Sequence, residues 1–224
     1  MSTPQPVALI TGCSSGIGRA TAVRLHRAGL RVVATARDPG TLEALRELGT
    51  DTRALDVTDE DSVRAAVEGV TAEHGRIDVL VNNAGYGLSG TFEETGLDRV
   101  RDQFETNVFG LVRLTQLVLP GMREHGGGTV VNVSSIFGRY AAPGGGYYHA
   151  SKHAVEALSD ALRLEVSGFG IRVVVVEPGP VHTAWGQAFI DRLPAPREDS
   201  PTGASTNGRP STTTPSTTAP ARRW

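Results

Sequence analysis

Val7-Ala8-Leu9-Ile10-Thr11-Gly12-Cys13-Ser14-Ser15-Gly16-Ile17-Gly18 is the stretch on which the fold turns. Val7 to Thr11 is apolar and rich in β-branched side chains, the composition of a buried strand. It runs into a glycine-rich turn, and from Ile17 to Ala28 an amphipathic helical pattern follows that stops at Gly29. Glycines at 12, 16 and 18 let the backbone turn tightly and approach a pyrophosphate. The start of the following helix supplies free N–H donors and a partial positive charge. A glycine-rich strand-to-helix turn without a ligand is the plainer reading, and its place after the first strand of an alternating chain favours the phosphate.

Outward from this stretch the same alternation continues. Arg31 to Ala36, Thr52 to Leu55, Val79 to Asn82, Thr129 to Val133 and Arg172 to Val176 read as strands. Helical patterns lie between them: Asp59 to His74 with Thr58 as N-cap, Leu97 to His125, and Tyr148 to Phe169. This order predicts an α/β fold with a doubly wound parallel sheet in a single domain. The run Val173 to Val176 lacks polar alternation, which predicts a central strand buried on both faces. Ligands of such sheets bind beyond the carboxyl ends of the strands. That selects Thr11 to Gly18, Arg37, Asp56, Asn83 to Gly85, Ser134 to Ser135 and Pro178 to Thr183.

Composition narrows the function. The 224 residues are 39% hydrophobic, enough for one sizeable core. With 22 Lys plus Arg against 24 Asp plus Glu, no basic field exists for nucleic acid. Cys13 is the single cysteine, and no signal-peptide pattern or bilayer-length apolar run occurs, which predicts a cytoplasmic protein without a membrane span. The Asn-Val-Ser sequon at Asn132 lies in a strand and reads as a chance match. No metal-ligand spacing stands out. From about Pro194 the composition turns Pro/Ser/Thr-rich, which predicts a disordered tail over 194–224.

Several residues carry chemistry. Tyr148 and Lys152 are four apart on a helix, hence one turn from each other on one face. A free phenol titrates near pH 10, and a neighbouring ammonium favours the phenolate, making Tyr148 an acid or base. Ser135, at the end of the fifth strand, can donate to a substrate oxygen. Ser134 can do likewise, but strand alternation allows only one of the two to face the site. Asn107 is a polar amide inside a helical pattern, where it either holds a water beside Lys152 or is a satisfied buried amide. Asp56 can accept from an adenine amino group or cap a turn. Asn83, followed by Ala84 and Gly85, can tie strand ends together where small residues admit a cofactor. After strand two, Ala36 offers no carboxylate for a ribose hydroxyl whereas Arg37 suits a 2′-phosphate, predicting NADP over NAD; Asp38 could instead neutralise Arg37.

Taken together, Thr-Gly-x-x-x-Gly-x-Gly, Asn-Asn-Ala-Gly, the helix Asn, the strand Ser, Tyr-x-x-x-Lys and Pro-Gly, in this order over about residues 5 to 185, resemble the short-chain dehydrogenase/reductase family. The resemblance implies a Rossmann-type catalytic domain over 5–185 and a hydride exchanged between NADP (or NAD) and a small-molecule alcohol or carbonyl. It implies Asn107, Ser135, Tyr148 and Lys152 as the catalytic tetrad. Thr11, Gly12, Ser14, Gly16, Ile17 and Gly18 would serve the pyrophosphate, Arg37 the 2′-phosphate, Asp56 the adenine, and Asn83, Ala84 and Gly85 the adenosine ribose side. Tyr148 and Lys152 would also touch the nicotinamide ribose, and Pro178, Gly179, Val181 and Thr183 the nicotinamide. The Cys-Ser-Ser loop looks like the branch that handles lipophilic or steroid-like carbonyls. The two longest helices would pair with their copies in a homodimer; burial against the sheet alone is the other reading. Family members continue past Pro-Gly with a substrate lid, a further helix and a seventh strand. Here 186–193 reads as a lid remnant before the tail, so the sheet is expected to lack its C-terminal strand. A folded, weakly active dinucleotide-binding fragment is the alternative function.

Overall fold

The computed structural model describes residues 5–179. Val181, Thr183, the lid remnant and the tail lie outside the described residues. Six strands, β1 (Val7–Ile10), β2 (Arg31–Ala36), β3 (Asp51–Ala54), β4 (Val79–Asn82), β5 (Gly128–Val133) and β6 (Ile171–Val176), form one sheet in the order β3-β2-β1-β4-β5-β6. Every pairing is parallel. The chain winds outward from β1 to β3, returns, and winds the other way from β4, so the switch point lies where Ile10 pairs with Val81.

Helices cover both faces. On one, α3 (Glu60–His74) and α5 (Gly110–Glu124) bury Val63, Val67, Val70, Leu114, Val118 and Met122 against Val7, Leu9, Val33, Leu80 and Val130. On the other, α1 (Gly16–Arg27) and the short α2 (Glu43–Arg46) cover Ala8, Ile10, Val32, Ala34 and Val81. Each fully buried Leu or Val stabilises by roughly 1.5–3 kcal/mol, which makes this sandwich the dominant favourable contribution.

A buried amide chain binds the sheet to its helices. Asn82 Nδ2 donates to Asn132 Oδ1 at 2.9 Å and to Thr115 Oγ1 at 3.0 Å, and Asn132 Nδ2 donates to Ser159 Oγ on α6 (Gly146–Glu165) at 2.9 Å. Losing one partner would strand buried polar atoms at about 1–3 kcal/mol. Asn132 is fully enclosed here, as expected of a chance sequon.

Three expectations need correction. The Val173 to Val176 strand is the last of the described sheet, not a central one, and Val174 and Val176 are about two-fifths exposed (42% and 39%). A β-branched run reports strand propensity, and its order in the sheet is fixed by connections the run does not encode. The cap of α3 is Asp59, whose carboxylate accepts from the Asp61 and Ser62 amides, while Thr58 is held by Asp56. The helix predicted over 97–125 is α4 (Leu97–Phe104), a π-turn (Glu105–Phe109) and α5 in succession. No helix among the described residues is long and apolar enough to cross a membrane.

Candidate active site

At the switch point the glycine loop is shaped by contacts that exclude side chains. Gly12 and Gly16 have φ of +71° and +57°, a region that L side chains rarely enter. Gly18 is extreme: a Cβ there would lie 2.3 Å from Gly12 O and 2.4 Å from Asn83 Nδ2. Asn83 is the clamp, donating to Thr11 O at 2.8 Å and Gly12 O at 3.1 Å across the ends of β1 and β4. Thr11 Oγ1 completes it by accepting from the Asn83 and Ala84 amides, both at 2.9 Å. Helix α1 starts without a side-chain cap from Ser15 and without an acid in its first turn. Its first N–H groups thus remain donors beside exposed Ser14 and half-buried Ile17, a cradle shaped for a phosphate.

Arg37 follows β2 and is exposed, with no ion pair or hydrogen bond among the described residues. Asp38 does not neutralise it, because its carboxylate accepts from Gly40 N at 2.8 Å and caps the 3-10 turn Pro39–Leu42. Asp56 uses Oδ1 on Thr58, accepting from its amide at 2.9 Å and its hydroxyl at 2.8 Å, as a turn aspartate does.

Beyond β4 and β5 the second group of residues gathers. The π-turn widens the long helix at Asn107 and turns its amide inward: Oδ1 accepts from Tyr86 N at 3.0 Å, and Nδ2 donates to Tyr86 O at 2.9 Å and Ser151 Oγ at 3.1 Å. It is therefore a satisfied buried amide, and it stands close to Lys152. A Cβ on Gly85 would lie 3.0 Å from Asn107 Oδ1 and 3.8 Å from Lys152 Nζ. Lys152 Nζ donates to Val133 O, the last residue of β5, at 2.8 Å, and lies 5.9 Å from the Tyr148 ring centre. Ser135 and Tyr148 share a hydrogen bond, and Ser135 Oγ also accepts from Phe137 N at 3.2 Å. Strand alternation holds, for Ser134 turns its hydroxyl to the other side, toward Gly138. Pro178 O accepts from Ile136 N at 3.1 Å and so joins the segment after β6 to this turn, with Gly179 next to it.

Burial decides the titration of this cluster. It pushes the Tyr148 phenol up, with the Ser135 hydrogen bond pulling the other way. The lowered phenol expected from Lys152 is not what the chain's own groups produce: the desolvation of Tyr148 outweighs them. Burial likewise brings the Lys152 ammonium down to about 8, opposed by the charge of Glu156.

These joint features decide the family, and direct comparison agrees. The short chain dehydrogenase family model matches residues 6–193. The chain belongs to the short-chain dehydrogenase family. It is 42% identical over 203 residues to the uncharacterized oxidoreductase YusZ of Bacillus subtilis, covering 87% of this chain and 72% of that one. It is 44% identical over 195 residues to 3-ketodihydrosphingosine reductase of Bacteroides thetaiotaomicron, covering 86% and 71%. Among solved structures, a substituted actinorhodin polyketide ketoreductase with NADPH superposes with a TM-score of 0.80 at 40% identity, covering 85% of this chain and 77% of that one. This short-chain dehydrogenase is an oxidoreductase with the family's parallel sheet.

Some neighbours of the site carried no sequence signal. His149 stacks on Phe137 (4.4 Å, 18°), and its Nδ1 accepts from Ala142 N at 3.1 Å, which clips the 139–145 segment to α6. Burial and nearby His153 push its pKa down, keeping that acceptor unprotonated. Phe92, 81% exposed, stacks on Tyr147 (5.1 Å, 21°), whose hydroxyl donates to Phe92 O at 3.1 Å. Gly90 N donates to Gly144 O at 2.9 Å, which joins the two segments bearing these aromatics.

Proposed function

We propose that this short-chain dehydrogenase interconverts lipophilic alcohols and ketones with NADP(H), NAD(H) being the weaker partner, within one catalytic domain over residues 5–185. The observation that carries the reading is the convergence of buried Tyr148, Lys152 and Ser135 on the carboxyl ends of β4 and β5, beside a glycine loop packed so closely that Gly18 admits no Cβ.

The residues fit the dinucleotide. Thr11, Gly12, Ser14, Gly16, Ile17 and Gly18 would hold its pyrophosphate, Arg37 a 2′-phosphate, Asp56 the adenine, and Asn83, Ala84 and Gly85 the adjoining ribose. Lys152, Tyr148, Pro178 and Gly179, with Val181 and Thr183 further on, would serve the nicotinamide end. When bound, the dinucleotide supplies a hydride to a carbonyl carbon or accepts one from an alcohol.

The chain's own groups handle the proton. In reduction, Tyr148 Oη gives its proton to the carbonyl oxygen while Ser135 Oγ donates a hydrogen bond to the same oxygen. A phenol held up by burial is in its proton-donor form at neutral pH. The phenolate left behind is offset by the Lys152 ammonium, which Val133 O holds in place. Asn107 fixes the approach of α6 by bonding both the Tyr86 backbone and Ser151.

Exposed Phe92, stacked on half-buried Tyr147, and half-exposed Tyr140 offer apolar surface beside the site and support a lipophilic substrate. The similarity to a 3-ketodihydrosphingosine reductase supports it as well. Exposed Leu97 at the start of α4 and Phe109 at the end of the π-turn, with Leu158 and Leu164 on α6, support pairing with a second copy. The test is a spectrophotometric assay of purified protein with NADPH or NADH and ketones graded by chain length. Turnover that rises with apolar size and favours NADPH is expected; no nicotinamide oxidation with any carbonyl refutes the reading.

A further inference from the structure

Glu156 is a buried carboxylate for which the mechanism above has no use. Its side chain is 7% exposed, and neither oxygen has a partner of hydrogen-bond geometry. It lies one turn beyond Lys152 on α6, the spacing at which helix side chains meet. Arg139 Nη2 stands 3.1 Å from Oε2, but that guanidinium is also committed to Glu177 Oε1 at 2.7 Å. Gly138 is tight here: a Cβ would lie 3.0 Å from Glu156 Oε1 and 2.8 Å from Ser134 Oγ. The turn that follows Ser135 therefore presses directly on this carboxylate.

We propose that Glu156 is the buried counter-ion of Lys152, a positioning residue that keeps the ammonium charged for its work on Tyr148, with Arg139 setting how much of the carboxylate's field reaches it. A buried ammonium is costly unless an opposite charge lies close by. Among the described residues, the charged and titratable groups around the pair are Tyr148 and Asp160 on α6, Arg139 after the 136–138 turn, and Glu177 after β6. Glu177 holds exposed Arg139 by a hydrogen bond, and Asp160 is paired with Arg163, so the Glu156 carboxylate divides its field between Arg139 and the buried Lys152. The role assigned to Lys152 rests on the proposed function; the counter-ion relation itself does not.

The sequence provides an unusually clean test, because Lys152 is the only lysine in the chain. Protein labelled with 13C at lysine Cε gives one lysine side-chain signal, whose shift with pH reads the ammonium without turnover or cofactor. In the parent its midpoint should fall near 8. Glu156→Gln keeps the shape and removes the charge, and should lower that midpoint by about one unit; Glu156→Asp should restore most of it. The alkaline limb of the turnover profile should move down with it. A midpoint unchanged in Glu156→Gln overturns the proposal. If that variant does not fold, exposed Arg139→Gln decides: loss of the competing cation should raise the midpoint, and no rise refutes the assignment. An inactive parent that still shows these shifts would sink the proposed function and leave the counter-ion relation standing.

Discussion

Replacing Gly18 by alanine adds one methyl group at the tightest point of the molecule. The added carbon would lie 2.3 Å from Gly12 O and 2.4 Å from Asn83 Nδ2, neither of which is the loose end of a flexible chain. Gly12 is held in a left-handed conformation, and Asn83 is bonded to Thr11 O and Gly12 O. Overpacking of this kind costs about 1–3 kcal/mol, and displacing Asn83 loses two hydrogen bonds worth about 1 kcal/mol each. Allowing for overlap between these effects, about 3 kcal/mol is expected, a fall in Tm of roughly 6–12 °C for a chain of this size. Gly121 supplies the contrast: it sits inside α5 without a positive φ, and a Cβ there meets nothing within 4 Å. Gly121→Ala should stabilise by about 0.8–1 kcal/mol through helix propensity alone. Circular-dichroism melts of both variants, with dinucleotide titrations on each, check the pair. A Gly18→Ala protein that melts and binds NADPH like the parent refutes the close-approach reasoning.

Tyr148→Phe should lower turnover by roughly 10²–10⁴-fold while dinucleotide affinity, followed by nicotinamide fluorescence, stays near that of the parent. Arg37→Ala removes a guanidinium that has no partner among the described residues and should weaken NADPH by about tenfold or more, with NADH nearly unchanged in the same titration. Cys13 is buried with its thiol pushed up to about 12 from 9.0. A folded-state pKa above the unfolded one gives stability that is complete below pH 9 and lost as pH climbs toward 12. Urea midpoints measured across that range should therefore fall more steeply in the parent than in Cys13→Ala. Light scattering at micromolar concentration should give twice the chain mass; a monomer at all concentrations counts against pairing through the long helices.

Much of the architecture was legible because the physics is local. The alternation of short apolar runs with amphipathic stretches required only periodicity to read, and the six strands fall within a residue or so of where that pattern puts them. Gly12, Gly16 and Gly18 were readable for the same reason: a missing side chain is visible in the sequence, and its geometric cause is the positive φ at Gly12 and Gly16 and the contacts that a Cβ would make at Gly12 and Gly18. What could not be read depends on contacts between distant segments. The edge position of β6 is set by connections and not by its valines. The shift from Thr58 to Asp59 at the start of α3 turns on which of two adjacent capping residues is free, and Asp56 has already taken Thr58. The π-turn at Glu105–Phe109 has no periodic signature over five residues, although the placement of Asn107 depends on it.

Lys152 joins these two kinds of information. An arginine at this position could not give up its proton, whereas an ammonium can be moved by its surroundings toward the pH at which it must act. Every other basic side chain of the Lys and Arg class in the chain is arginine, so the one side-chain amine stands where the sheet ends meet the buried phenol. The residue type is plain in the sequence, but its titration is not. That comes from enclosure by α6, Val133 and the π-turn, which removes water, and from a carboxylate four residues further along the same helix. The burial that brings Lys152 down from 10.5 to about 8 also raises Tyr148 from 10.0, so enclosure drives the two groups apart and favours the neutral form of each. In that state the phenol keeps its proton and the ammonium can lose one. On the proposed mechanism, the charge on that ammonium sets how readily the phenol can act as a base, and Glu156 is the place to tune the balance between reduction and oxidation.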